Sequence, residues 1–248
     1  MTVSVILPVM NETWSLEKTT RILVAENQTH LEEILVVTSP RTSENSLHTI
    51  ERLLRAYPSL IRVHQQTLPY LGGAIQEAFS FVRGRFTVLM GSDLETDPHL
   101  IRSMINVMKD GKYDIVVASR WLEKQGFQGY PLLKYMCNFI FQKIFSVLYG
   151  RSLTDLTYGF RMYRTEIVQK IIWEELRHPF LLESLVKPLR LGCSVKEVPT
   201  KWVARQEGVS QNVLTSYVGY FKISLKVLFM DPNLFVKAQC LGRPKEDH

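Results

Sequence analysis

Five short apolar runs recur along the first half of the chain and narrow the folds open to it. They fall at 3–7, 34–37, 60–64, 86–90 and 114–118. Each is too short for a helix, rich in β-branched residues and apolar on both faces, as buried parallel strands are. Amphipathic stretches separate them at 15–25, 45–56, 72–82 and 97–108. Strand and helix alternating every 25–30 residues or so predict βαβ crossovers and a doubly wound, mostly parallel α/β sheet. The last stretch opens with Asp97-Pro98, which reads as a carboxylate cap followed by proline at the first helical position.

With 46% hydrophobic and 22% charged residues over 248 positions, disorder, collagen-like repeats and a disulfide scaffold are excluded. Cys137, Cys193 and Cys240 are odd in number and form no CxxC pair, so reduced thiols and no zinc site are expected. Met1 leads into an apolar run without a basic leader or cleavage site, so no signal peptide is expected. Residues 1–119 carry 11 Lys/Arg against 13 Asp/Glu, and residues 120–248 carry 19 against 11. That basic second half suits an anionic partner or a solvated basic face. A nucleic acid is not expected, because the aromatics are not interleaved with Arg and Lys on a platform.

Residues 132–149 are mostly apolar, with Lys134, Asn138, Gln142 and Ser146 recurring every fourth position. On a helix this makes a narrow polar stripe and a wide apolar face that includes Phe141 and Phe145. Residues 213–230 repeat the theme, with Lys222 and Lys226 on the polar side. Neither stretch has 18 uninterrupted apolar residues, so each is expected to pack on the sheet or to lie in a membrane interface.

Ligands of parallel sheets sit where strand carboxyl ends and their loops converge. The loop after the fourth run holds Asp93 and Glu95, two hard oxygen donors suited to Mg²⁺ or Mn²⁺, or alternatively a helix-capping acidic loop.

Six motifs stand in one order: Pro8-Val-Met-Asn11-Glu12, Leu71-Gly72-Gly-Ala74, Met90-Gly-Ser-Asp93-Leu-Glu95, Ala118-Ser-Arg120-Trp121, Asp155-Leu-Thr-Tyr-Gly159-Phe160-Arg161, and Glu197-Val-Pro199 with Arg205-Gln-Glu-Gly208-Val-Ser210. In these the chain resembles the GT-A-fold inverting glycosyltransferases of family 2. The resemblance is to the polyprenyl-phosphate sugar transferases of the dolichol-phosphate mannose synthase type, over roughly residues 2–230. It implies one catalytic domain, with residues 1–119 binding nucleotide sugar, residues 120–230 binding acceptor through interface helices at 132–149 and 213–230, and a tail at 231–248. Pro8, Asn11, Glu12, Thr38, Gly72, Asp93, Arg205 and Ser210 would bind the donor, Gly72 where backbone approaches the nucleotide closely. Asp93 and Glu95 would hold the divalent cation. Arg120, Gly159 and Arg161 would bind the acceptor, and Asp155, Arg120 and Arg205 would be catalytic.

The chain also departs from the pattern. Thr38 and Ser39 replace the usual paired aspartates, Gly91 the first metal-binding aspartate, Met10 a tyrosine, and Gln211 a basic residue. Arg120 and Arg205 would hold leaving-group charge beside the cation. A polyprenyl phosphate acceptor is already anionic, whereas a saccharide hydroxyl would need Asp155 or Glu183 as base. The resemblance therefore implies sugar transfer from a nucleoside-diphosphate sugar to a polyprenyl phosphate, peripherally at the cytoplasmic face of an anionic membrane. A saccharide acceptor, or a degenerate sugar-nucleotide-binding subunit, are the alternatives.

Overall fold

In β1 (Val3–Pro8), Val3, Val5 and Leu7 pack on one side of the sheet and Ile6 on the other, all out of water. A strand buried on both faces belongs in the middle of a covered sheet. β1 is there, paired in parallel with β2 (Leu31–Thr38) and β4 (Phe86–Leu89). β3 (Ile61–Gln65) adds to β2 in parallel, and β5 (Ile115–Ser119), β7 (Arg161–Arg164) and β8 (Val195–Pro199) complete seven strands in the order β3-β2-β1-β4-β7-β5-β8. The computed structural model describes residues 1–205, 207 and 216–237. β6 (Phe127–Gln128) and β9 (Trp202–Val203) form a separate parallel pair.

Helices α1 (Trp14–Asn27), α2 (Glu44–Ala56) and α4 (Leu100–Lys109) cover one face through Leu16, Leu23, Ile50, Ile101 and Met104. On the other face lie α3 (Tyr70–Phe81), α5 (Leu132–Leu148), α6 (Thr165–Lys170), α7 (Phe180–Arg190) and α8 (Ser216–Phe229). The five expected strands are β1 to β5, and the four expected helices are α1 to α4. α4 starts later than expected: Asp97 accepts the His99 N–H at 3.0 Å and so closes a turn before the helix. β7 was not foreseen. It runs antiparallel to both β4 and β5, and its Arg-Met-Tyr-Arg sequence carries no strand periodicity.

α5 is inside out. Its polar residues Asn138 and Gln142 are buried, with Gln142 Nε2 donating to Asn138 Oδ1 (2.7 Å) and Thr157 Oγ1 (2.8 Å), and Gln142 Oε1 accepting Leu156 N–H (2.7 Å). Leu133, Met136, Ile140, Ile144 and Val147 face outward, Val147 at 78% exposure. Phe141 and Phe145, from the wide apolar face, are in the core, packed edge-on to Phe221 of α8, so these two are not available to a membrane interface. α8 in turn exposes Val218, Phe221, Leu225 and Phe229. Lys226 is not free for an anionic partner as expected: its Nζ bonds Glu174 Oε1 at 2.7 Å. No helix among the described residues is long and apolar enough to cross a membrane. Within the stretch expected as tail, Phe235 is fully buried and Val236 bridges to Ile171. Cys137 and Cys193 are free thiols, and Cys240 lies outside the described residues.

Candidate active site

The carboxyl ends of β1, β2, β3, β4 and β5 all open into one cleft of about 1180 Å³. Its first wall is the donor-type side. Pro8 ends β1 and Met10 and Glu12 follow it, Ser39 and Arg41 follow β2, and Gln66 follows β3. Glu12 turns back on its own loop, accepting Met10 N–H (2.7 Å) and Asn11 N–H (3.0 Å). Thr38 is not at the cleft: it is buried, its Oγ1 donating to His64 O at 3.4 Å, and the neighbouring Ser39 takes the lining position. Asn11 is exposed and outside the lining. Gly72 does make a close approach, but to protein. A Cβ there would meet Glu175 O at 2.4 Å and Leu176 C at 2.6 Å, so its bareness serves the packing of α3 on the segment before α7 rather than a nucleotide.

The loop after β4 builds the electrostatic centre. Leu94 has φ of +59°, a left-handed turn that is costly for a branched residue. Asp93 Oδ2 and Glu95 Oε1 both meet Arg205, from Nη2 at 3.2 Å and Nε at 2.7 Å. Burial, then the adjacent Glu95 charge, push the Asp93 carboxyl up to about 6, with Arg205 and the Glu95 N–H pulling the other way. Two hard carboxylates on one strand-end loop match the way Mg²⁺ and Mn²⁺ are held, by one or two carboxylates plus substrate phosphates. Among the described residues no larger cluster of ligating side chains forms a closed cage. The donor set therefore fits an open cation site completed by a ligand's oxygens.

Arg120, at the end of β5, is the cleft's other fixed cation. Its Nε and Nη2 grip Asp155 Oδ2 (2.7 Å) and Oδ1 (2.9 Å), and its guanidinium lies between the rings of Phe127 and Tyr158, at 5.0 and 4.5 Å. Burial disfavours the Arg120 charge, and the Asp155 carboxylate more than restores it. Asp155 is fully buried and absent from the lining, so the expectation of a free base there is corrected: it is Arg120's counter-ion. Glu183, the other candidate base, is not free either. It is buried, paired with Lys187 Nζ at 2.6 Å, and accepts the Glu175 N–H at 2.9 Å. Arg161 does not reach the cleft either: its buried guanidinium donates to Leu181 O, Ser184 Oγ and, at 2.6 Å, Leu156 O. Gly159 does line the cleft, and Ser210 lies outside the described residues.

The far wall holds residues that sequence reasoning passed over: Asn138 and Phe141 of α5, Tyr220 of α8, and Arg177 and His178 before α7. Burial, with Arg205 nearby, pulls the His178 imidazole below its ordinary value. Arg177 stacks over Tyr70, 4.3 Å from the ring, and bonds its hydroxyl at 3.1 Å. Spacing put Asn138 on the polar stripe and Phe141 on the apolar face of a helix, but only tertiary contacts bring them, with Arg177, His178 and Tyr220, to the cleft.

With this geometry in view, comparison with known proteins decides the family. Residues 4–172 match the model of "Glycosyl transferase family 2". The chain belongs to that family. The matched span holds Asp93, Glu95, Arg120 and Asp155, and leaves out Arg177, His178, Arg205 and Tyr220. Among its relatives, the chain is 26% identical over 210 residues to glycosyltransferase AglD of Haloferax volcanii, covering 81% of this chain and 33% of that protein. It is 26% identical over 160 residues to undecaprenyl-phosphate mannosyltransferase of Micrococcus luteus, covering 62% of this chain and 65% of that one. The chain thus spans a third of the first relative and just under two thirds of the second. In fold it is similar to glucosyl-3-phosphoglycerate synthase of Mycobacterium tuberculosis, solved with Mn²⁺, uridine diphosphate and phosphoglyceric acid, with a TM-score of 0.69, 16% identity, and 93% of this chain and 79% of that chain covered.

One wall of this family 2 cleft depends on a single carboxylate. Glu77 of α3 accepts Thr67 N–H (3.0 Å), Thr67 Oγ1–H (2.6 Å) and Leu68 N–H (2.6 Å), and meets His64 Nε2 at 2.6 Å. Burial alone would raise its pKa, but these hydrogen bonds hold it down at about 2. A depressed carboxyl stabilises the fold fully above its unfolded value near 4.5 and loses that contribution as pH falls towards 2. Glu77→Gln is expected to lower the melting temperature by a few degrees at neutral pH. The gap to wild type should close as pH falls through that window, read by thermal unfolding at a series of pH values.

Proposed function

We propose that this protein transfers a sugar from a nucleoside-diphosphate sugar to a polyprenyl phosphate, docked peripherally at the cytoplasmic face of a membrane. The observation that carries the reading is the joining of two features in one cleft. It is lined by Asp93, Glu95 and Arg205 and also by Asn138, Phe141 and Tyr220, which come from the two helices that expose apolar faces. Exposed apolar patches of this kind mark interaction or membrane surfaces. A polyprenyl chain costs about 0.8 kcal/mol per CH₂ to bring into water, so a transferase for it must come to the lipid. The relative named as an undecaprenyl-phosphate mannosyltransferase supports the acceptor class, and the fold neighbour solved with Mn²⁺ and uridine diphosphate supports the donor class and the cation. Free Cys137 suits a reducing compartment.

In this reading Asp93 and Glu95 hold the divalent cation, which when bound neutralises the donor diphosphate. Pro8, Ser39 and Arg41 form the nucleotide wall, with Gln66 beside them. Arg205, standing beside the acidic pair, offers positive charge to the diphosphate, and Arg120, fixed by Asp155, adds more. An acceptor phosphate oxygen bonds to the anomeric carbon as the carbon–oxygen bond to the diphosphate breaks, and the nucleoside diphosphate leaves with the electron pair. Every cleft-lining carboxylate among the described residues is engaged, Asp93 and Glu95 by Arg205 and Glu12 by backbone N–H groups, so an acceptor that arrives ionised suits this cleft. A second reading, a saccharide hydroxyl acceptor, is favoured by His178, whose neutral imidazole at the cleft wall could take a proton.

Two outcomes are expected. By calorimetry, wild type binds one of a panel of nucleotide sugars in the presence of Mn²⁺, and Asp93→Ala weakens that binding by 10²-fold or so, a magnitude typical of one lost electrostatic contact in such a site; equal affinities would remove Asp93 from the cation site. Wild type also floats with anionic vesicles, and Ile140→Glu/Val147→Glu, altering two exposed positions, abolishes flotation without changing the melting temperature. Undiminished flotation by that variant would exclude α5 from the membrane contact.

A further inference from the structure

Thr13 precedes α1 yet makes no side-chain capping bond of its own, which leaves the first-turn N–H groups of the helix to be satisfied from elsewhere. One of them, the Ser15 N–H, is satisfied from 192 positions away, together with the N–H of Thr13 itself. Glu207 Oε1 accepts Thr13 N–H at 2.9 Å and the Thr13 hydroxyl, while Oε2 accepts Ser15 N–H at 3.0 Å and the Ser15 hydroxyl at 2.6 Å. A carboxylate at a helix N-terminus, with charge-assisted hydrogen bonds to both oxygens, is a strong anchor. Burial tends to raise its pKa, and the Ser15 and Thr13 bonds more than reverse that, keeping it ionised.

Two residues earlier stands Arg205, on Asp93 and Glu95. Two residues of extended backbone reach at most about 7 Å, so a fixed Glu207 confines where Arg205 can stand. The segment it grips follows directly on the cleft-lining loop that ends at Glu12. We propose that Glu207 is a positioning residue: by gripping Thr13 and Ser15 it joins the two sides of the cleft and holds the Arg205 guanidinium against the acidic pair. This rests on the transferase reading above, in which Arg205 serves the donor diphosphate and Asp93 and Glu95 serve the cation. Glu207 touches neither, so its effects pass through Arg205 and carry opposite signs for the two ligands. Loosening Arg205 removes a cation that competes for the carboxylates, and misplaces one that the diphosphate needs.

The test is a double-mutant cycle of Glu207→Ala with Arg205→Ala, read by two titrations. Electron paramagnetic resonance follows Mn²⁺ alone, and calorimetry follows the nucleotide sugar bound by wild type with Mn²⁺. Glu207→Ala should bind Mn²⁺ alone severalfold tighter and nucleotide sugar about tenfold more weakly, on the scale of a lost charge-assisted contact. In the Arg205→Ala background it should change neither by more than about twofold, the mark of residues acting as one unit. Thr13→Ala/Ser15→Ala, which removes two of the four donors, should shift both titrations the same way by less, and serves if Glu207→Ala fails to fold. Full additivity in the cycle, or single variants that match wild type in both titrations, would overturn the proposal. A wild type that binds Mn²⁺ but no nucleotide sugar would defeat the transferase reading instead, with the Mn²⁺ arm still judging Glu207.

Discussion

Arg120 and Asp155 sit 35 positions apart in the chain with both charges almost entirely removed from water, the carboxylate wholly so. Such a pair is costly to desolvate and holds only where the remaining hydrogen-bonding capacity is filled. Asp155 fills it: beyond the two guanidinium bonds, it accepts Tyr158 N–H at 3.2 Å, and Glu197 of β8 in turn accepts the N–H groups of Thr154 and Asp155 at 2.9 Å each. The pair thereby fixes the end of β5, the 154–158 segment and the edge strand to one another. Removing one partner from a buried pair costs about 3–5 kcal/mol, so the cleft's floor cannot rearrange cheaply. The chemical consequence is as firm. A carboxylate gripped on both oxygens by Arg120 and lying outside the cleft lining is not placed to serve a substrate hydroxyl, which favours the proposed ionised acceptor.

Charge elsewhere obeys the same rule. Lys187 is buried with Glu183 and also reaches Glu174 Oε2 at 2.9 Å, and Glu174 holds Lys226 of α8. This network packs α7, the segment before it and α8 together, and Arg177 and His178 at the cleft wall belong to that segment. α5 uses neutral groups for the same end, turning Gln142 inward to accept the Leu156 N–H and to donate to the equally buried Asn138. Its apolar face is then left outside, where a soluble surface would gain nothing from it and a lipid interface would.

How much of this could be read in the sequence depends on the range of the interaction concerned. β1, β2, β4 and β5 were legible because burial leaves apolar runs, whereas β3, an edge strand with only Ile61 buried, was legible through its Ile and Val alone; Asp93 and Glu95 stood out because two carboxylates on one strand-end loop are a local pattern. β7 was not, since its Arg161 and Arg164 are drawn into a sheet by neighbours on both sides. Periodicity gave the width of the polar stripe on α5 but not which side of the helix the body would take. Gly72 announced a close approach without naming what approaches. Glu207 and Thr13 are 194 positions apart, and only folding brings them together.

In the proposed reaction this cleft transfers sugar to an acceptor that carries its own negative charge. The direct measurement presents the protein with labelled nucleotide sugar, Mn²⁺, and vesicles holding either a polyprenyl phosphate or the polyprenol of the same length, and follows label into the lipid phase. Label should enter with the phosphate and not with the alcohol. Transfer to the polyprenol, or to a soluble saccharide in preference to either lipid, would contradict the account and return the search for a base to His178.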